Sequence, residues 1–179
     1  GQRDYANFIN AELGAEVTAT LGWSSFYGVH GREWLRKFKE QNPDLFKELD
    51  KGGQVDPVLN IEWEATGWQA NPTQKASIVD MLTTDQGKKL QDSMTAERLA
   101  VHWKKCVSTY TDNMRAVAWY TQIAELAGSG VADAFFSDLG GNYSSDHIYN
   151  YLITAYNRGG STIGAPMYHR RHQLYKEWI

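Results

Sequence analysis

Apolar positions recur at three- and four-residue intervals over most of this chain, and the clearest run is Asn113–Gly130, NMRAVAWYTQIAELAGSG. Met114, Val117, Ala118, Ile123 and Leu126 fall on helical offsets, with Ala116, Ala124 and Ala127 as small packing residues, which predicts an amphipathic core helix. Asp112 offers an N-cap oxygen, and Gly128, Ser129 and Gly130 offer a stop, because glycine reaches the left-handed conformation without a side-chain clash.

The same pattern predicts a helix over Arg3–Leu13 from Tyr5, Phe8, Ile9 and Leu13, with Gly14 as its terminator. Val17–Leu21 mixes β-branched and small residues and runs into the aromatic stretch Trp23–Tyr27, which predicts an extended segment. From Gly31 the helical spacing returns with Trp34, Leu35 and Phe38, and Asn42–Pro43 ends it because the residue before proline is pushed out of helical geometry. Short helical turns follow at Asp44–Leu49 and after Pro57, then a helix capped by Thr73 and running to Leu82. The longest stretch starts at Thr84 or Asp85 and continues to Tyr110, marked by Leu90, Met94, Leu99, Trp103 and Val107. Val131–Leu139, Asp146–Asn157 and a segment opening at Pro166 complete the series. The expectation is a mostly α single domain over residues 1–179, with roughly eight to ten helices and one to three short strands near the N-terminus.

A length of 179 residues suits one domain with a sizeable core. Seven Trp, ten Tyr and six Phe enlarge that core, and residues of this kind also line ligand clefts. A net charge of −3 with interspersed signs leaves no electrostatic footprint for nucleic acid or an anionic membrane. Cys106 is the sole cysteine, which excludes an internal disulfide and any multi-cysteine metal site. No apolar run approaches bilayer-spanning length, and the N-terminus lacks the charged-then-apolar pattern of a signal peptide, so export would use another route. Gly1 is compatible with a piece of a longer protein.

Several segments together carry a family resemblance. Ala15–Leu35, with a small-residue strand running into SSFYGVHGREWL, resembles the strand, aromatic-Tyr-Gly and helix that open phage endolysin catalytic domains of the lysozyme-like superfamily, including a chitosanase-like branch. ASIVDMLTTDQGKKLQD is similar to that family's helix, Ser/Thr turn and Gly-Lys before a Gln-Asp pair. AVAWYTQIAELAGSG resembles its central apolar helix, and YHRRHQLYKEWI its closing Arg-Arg helix. The resemblance implies a lysozyme-like fold, peptidoglycan as substrate and glycosidic-bond hydrolysis. It also implies a glutamate at the end of the first helix as general acid, and action at the bacterial cell wall by a phage-encoded, holin-released protein or one secreted otherwise. Ser25–Phe26 stand where many relatives carry Gln-Trp, and the segment before them is short.

Glycoside hydrolysis needs a protonated carboxylic acid beside the leaving oxygen and, usually, a second carboxylate. Glu12 is the first candidate for the acid, since an apolar wall from Leu13, Trp23 or Phe26 would keep it protonated. Glu16 is the second carboxylate or replaces it. Trp23, Tyr27 and His30 are candidate substrate contacts, as are Gln122 and Glu125, which lie three residues apart on the central helix. Glu33 suits the first turn of its helix, where negative charge meets the dipole. His102, His147, His169 and His172 form no metal motif, no HExxH or GxSxG occurs, and neither a metal nor a cofactor is expected. Two other readings stay open: a glycan-binding module on the same scaffold without catalysis, and a phage structural or interaction protein.

Overall fold

The computed structural model describes residues 3–11, 17–158 and 165–178, with backbone alone at 126, 155–158, 165–170 and 178. The described residues form nine α-helices and one small antiparallel sheet, a mostly α fold with its strands at the N-terminus. The chain divides into two compact units, Gly1–Ala96 and Glu97–Ile179, each with its own apolar core.

The first unit opens with β1 (Phe8–Ile9), β2 (Thr20–Leu21) and β3 (Phe26–Tyr27), paired in that order with Phe8 opposite Leu21 and Thr20 opposite Tyr27. The helix expected over Arg3–Leu13 does not form across its described part. Phe8 is buried and Ile9 exposed, the two-residue alternation of a half-buried strand. The Asn7 carbonyl accepts from the Gly22 amide at 2.7 Å, and the Asn10 side chain exchanges two hydrogen bonds with the backbone of Ala70, at 2.9 and 3.0 Å. Those long-range polar ties outweigh the local helical spacing. Residues 12–16, which include the expected end of that helix, lie outside the described residues.

Gly28 leads into α1 (Val29–Gln41), whose inner face carries Trp34, Leu35 and Phe38 with no exposure at all. Next come α2 (Pro43–Leu49), 3-10 turns at Lys51–Gly53 and Asp56–Asn60, α3 (Trp63–Thr66) and α4 (Pro72–Thr83). Trp34, Phe38, Trp63, Ile78, Met81 and Leu82 are the centre of the first core. The cap of α4 is Asn71 rather than Thr73. Its side chain accepts from the Gln74 amide at 2.9 Å while the Gln74 side chain accepts from the Asn71 amide at 3.0 Å, a reciprocal pair that a threonine one position inside the helix cannot make.

Helix α5 (Asp85–Thr109) gives its first turns to the first unit and the remainder to the second. The second unit adds α6 (Met114–Ala127), α7 (Ser129–Asp138), α8 (Ser145–Arg158) and α9 (Ala165–Trp178). Val117, Trp119, Tyr120, Ile123 and Ala124 of α6 are buried against Phe136 and Leu139 of the α7 region and Ile148 and Leu152 of α8. Asn113, not Asp112, caps α6, its side chain accepting from the amides of Arg115 and Ala116 at 3.1 and 3.2 Å. Gly128 alone stops α6, and Ser129–Gly130 already belong to α7. Met114, expected inward, is 49% exposed at the first turn.

Helix α9 packs on α8 through His172, Tyr175 meets Trp119 of α6, and Leu174 is at the surface. The His172 ring lies flat on Tyr149 at 4.2 Å, and Lys176 pairs with Asp146 at 3.0 Å.

Candidate functional site

The sequence-nominated residues fall into both units. Glu12 and Glu16 lie outside the described residues, but the chain on either side of them is fixed. On one side stands Asn10, tied to Ala70. On the other, the Val17 amide donates to the Tyr27 phenol at 3.0 Å, and the Val17 carbonyl accepts from Gln69 Nε2 at 3.1 Å. Thr18 Oγ1 then donates to the Trp68 carbonyl at 2.6 Å. The 68–70 loop thus anchors both flanks of the two-glutamate segment.

Tyr27 is half-buried at the end of β3, and its hydroxyl is the acceptor that secures Val17. Trp23 is half-buried in the turn between β2 and β3. Its indole Nε1 donates to Asp92 Oδ1 at 3.0 Å and its amide donates to Gln91 Oε1 at 3.2 Å. Tyr5 donates to the same Asp92 carboxylate at 3.0 Å. Arg3 pairs with it at 2.8 Å while lying over the Trp23 ring at 4.7 Å. The Tyr5 hydroxyl and the Asp92 charge hold the Arg3 guanidinium above its ordinary pKa. Gly22 starts this turn at φ +69°, and a β carbon there would stand 2.3 Å from Gln91 Oε1, so glycine is required for the turn and for the approach of the Gln91 side chain. The Gln-Asp pair of the sequence therefore holds Trp23 at two points, Gln91 at its amide and Asp92 at its indole N–H.

His30 is exposed in the first turn of α1. Its neighbour Arg32 is buried and committed, donating to the Ile61 carbonyl and to Glu62, both at 2.5 Å. That hydrogen bond holds the Glu62 carboxyl below the usual carboxylate range. Glu33 is exposed and lies 3.6 Å from Lys37, but α1 starts at Val29 and carries no acidic residue in its first turn, so Glu33 stands one turn further in than the expected dipole position.

One carboxylate that the sequence did not single out stands on the same rim. Glu64 of α3 is exposed, and its carboxylate folds over Gly28, where a β carbon would lie 2.3 Å from Oε1 and 2.4 Å from the carboxyl carbon. Gly28 has φ +53°, so its lack of a side chain serves both the backbone and the carboxylate. Glu64 sits 36 positions after Gly28, beyond the reach of any local motif. Composition and helical spacing carry no trace of this pairing.

Gln122 and Glu125 belong to the second unit. Glu125 is only 15% exposed and is engaged by Arg98 Nη2 at 2.7 Å, with His102 Nε2 3.2 Å from its other oxygen. The arrangement holds a carboxylate between α5 and α6 through Arg98 on one oxygen, while the other, Oε1, is buried without a hydrogen-bond partner. Gln122 is half-buried on the same helix.

A second polar centre in this unit gathers around Asp133, which pairs with Lys105 and accepts from the hydroxyls of Tyr120 at 2.7 Å and Tyr110 at 3.2 Å. Lys105, then the two tyrosines, hold the Asp133 carboxyl below its ordinary range. Burial, then the hydrogen bond to Asp133, push the Tyr120 phenol upward, and burial pushes the Cys106 thiol up to about 11, which leaves it a packed thiol rather than a nucleophile. A carboxyl lowered on folding contributes stability that is fully present above its unfolded pKa and is lost as pH falls through the folded value. Acidification from about pH 5 to 2 is therefore expected to lower the thermal midpoint. Asp133→Asn should be less stable at pH 7 and respond less steeply to acid. An unchanged acid slope in that variant would remove Asp133 from the account.

Among the described residues, no group of three or more His, Cys, Asp and Glu is placed to hold a metal ion, and no helix is long and apolar enough to cross a membrane. No protein-family model, curated protein or solved structure matches the chain.

Proposed function

We propose that this chain is a peptidoglycan-cleaving glycoside hydrolase working at the bacterial cell wall, with Glu12 as general acid and Glu16 as the neighbouring carboxylate. The observation that supports this reading is the pair of fixed flanks in the first unit. Two glutamates lie between Asn10 and Val17, both flanks are tied to the 68–70 loop, and the peptide after Glu16 is held by Tyr27, with Trp23 braced in the adjoining turn. A two-glutamate segment whose described flanks are fixed, and half-buried rings at Trp23 and Tyr27, are elements that proton transfer and sugar positioning use.

Trp23 and Tyr27 are the expected contacts for sugar rings in this reading. Gln122 and Glu125 take no part in its first-unit chemistry, because both belong to the second unit. Incubation of the chain with purified peptidoglycan, followed by mass analysis of soluble fragments and assay of new reducing ends, tests the reading. Released fragments with new reducing ends are expected. Sedimentation with peptidoglycan without any release would make the chain a glycan-binding module, and neither binding nor release would end both readings.

A further inference from the structure

We propose that the first unit carries a binding site for a short zwitterionic peptide, in the pocket that residues 39–57 enclose between the end of α1, α2 and the two 3-10 turns. The inference does not rest on the glycoside cleavage proposed above, because the pocket shares no lining residue with the Trp23 and Tyr27 rim. Its volume is about 620 Å³, inside the range of roughly 300–1,000 Å³ usual for small-molecule sites.

The sequence opens this space and pins its walls. Pro43 starts α2 directly after α1, so the chain leaves helical geometry at Asn42. Beyond α2 the buried Asp50 gathers the returning loop, its carboxylate accepting from the Val55 amide at 2.7 Å and from the Asp56 amide at 3.1 Å. That loop passes through Gly52 and Gly53 at φ +73° and +65°, and a β carbon on Gly53 would meet nothing within 4 Å. Across the opening, Lys39 Nζ donates to Asp56 Oδ1 at 2.6 Å and lies over the Phe46 ring at 5.6 Å. The walls are therefore tied before a ligand arrives, which lowers the cost of ordering them on binding.

The charged lining residues are two lysines and two aspartates, so the pocket has no net field for an ion of one sign. Each sign nevertheless keeps an uncommitted atom. Lys47, exposed on α2, makes no hydrogen bond and no ion pair among the described residues. The Lys39 bond takes one Asp56 oxygen and leaves Oδ2. Asp50 is different, with both oxygens already on backbone amides. A lone anion would pair with Lys47 and face Asp56 unpaired, and a lone cation would do the reverse. A ligand with a carboxylate for Lys47 and an ammonium for Asp56 satisfies both, while Pro43, Phe46 and Pro57 wall its apolar part.

The test is an NMR titration of the full, isotope-labelled chain with D-alanyl-D-alanine and L-alanyl-L-alanine, each also with its amine acetylated or its carboxylate amidated. A free dipeptide is expected to shift the amides of Phe46, Lys47, Gly53 and Asp56 saturably. Loss of either charge is expected to weaken binding by about fivefold, the upper end for one surface ion pair. Tighter binding of the D form would identify the ligand as the end of a cell-wall stem peptide, and tighter binding of the L form as an ordinary peptide. Lys47→Ala is expected to weaken the free and acetylated dipeptides and leave the amidated one unchanged. Asp56→Asn is expected to weaken the free and amidated dipeptides and leave the acetylated one unchanged. A merely structural role would not sort the probes by charge in this way. No saturable shift, equal binding of free and capped dipeptides, or wild-type affinity for the free dipeptide in Lys47→Ala would overturn the site, whatever the chain does to peptidoglycan.

Discussion

Trp119→Ala should lower the unfolding free energy by about 3–5 kcal/mol, the range for truncating a large buried aromatic. Trp119 has no exposed surface. It meets Tyr175 of α9 edge-on at 5.0 Å, and its indole N–H donates at 2.9 Å to the hydroxyl of the buried Ser145 at the start of α8. Truncation removes the apolar contacts, opens a cavity between three helices and deprives Ser145 of its donor. Trp119→Phe keeps most of the bulk but not the N–H, so it isolates the last of these losses, about 1–3 kcal/mol for a stranded buried polar group. Against a total stability of about 5–15 kcal/mol, the alanine change is a large fraction. Chemical denaturation followed by far-UV circular dichroism measures both variants. A loss below about 1 kcal/mol for Trp119→Ala would show that α6 does not anchor the second core.

Trp119 and Tyr120 also show where reading the pattern of α6 stopped short. The helix itself is legible, because Ala116, Val117, Ile123 and Ala124 are apolar at the right spacing and are buried. The aromatics with polar tips were not legible as its deepest residues. Whether a Trp or Tyr lies inward depends on a partner for its N–H or O–H. Those partners, Ser145 for Trp119 and Asp133 for Tyr120, come from α8 and α7. Met114 failed in the opposite direction. It has the correct spacing, but it occupies the first turn, where the helix face is not yet covered.

The N-terminal region was misread for a related reason. Tyr5, Phe8 and Ile9 carry helical spacing, yet Tyr5 donates to Asp92, Asn7 pairs with Gly22 and Asn10 pairs with Ala70. Each partner lies far along the chain, so a local window contains none of that energy. The candidate site divides along the same line. Trp23 and Tyr27 were legible as aromatics in a Gly-bounded turn. The Asp92 bond to the Trp23 indole and the approach of Glu64 to Gly28 depend on chain closure over 69 and 36 positions.

Replacing Glu12 by glutamine is expected to reduce peptidoglycan cleavage by about 10²–10⁴-fold, the usual contribution of a positioned general acid. Glutamine keeps the size and most of the hydrogen-bonding capacity of the side chain but cannot release the proton that the leaving oxygen needs. The fold and glycan binding should therefore persist, as read from the thermal midpoint and from sedimentation with insoluble peptidoglycan. The chain enters this segment from β1 rather than from a helix, so the helix-end geometry implied by the family resemblance does not choose between the two glutamates. The anchors on either side supply the remaining argument. Glu12 follows Asn10 by two positions, Glu16 directly precedes Val17, and both anchors tie to residues 69–70. The Tyr27 phenol adds a third tie on the Glu16 side, which makes Glu16→Gln the decisive companion variant. An active Glu12→Gln beside an inactive, folded Glu16→Gln would move the proton donor four residues along. Full activity in both would exclude this segment as the source of the acid, because no other carboxylate lies between the two anchors.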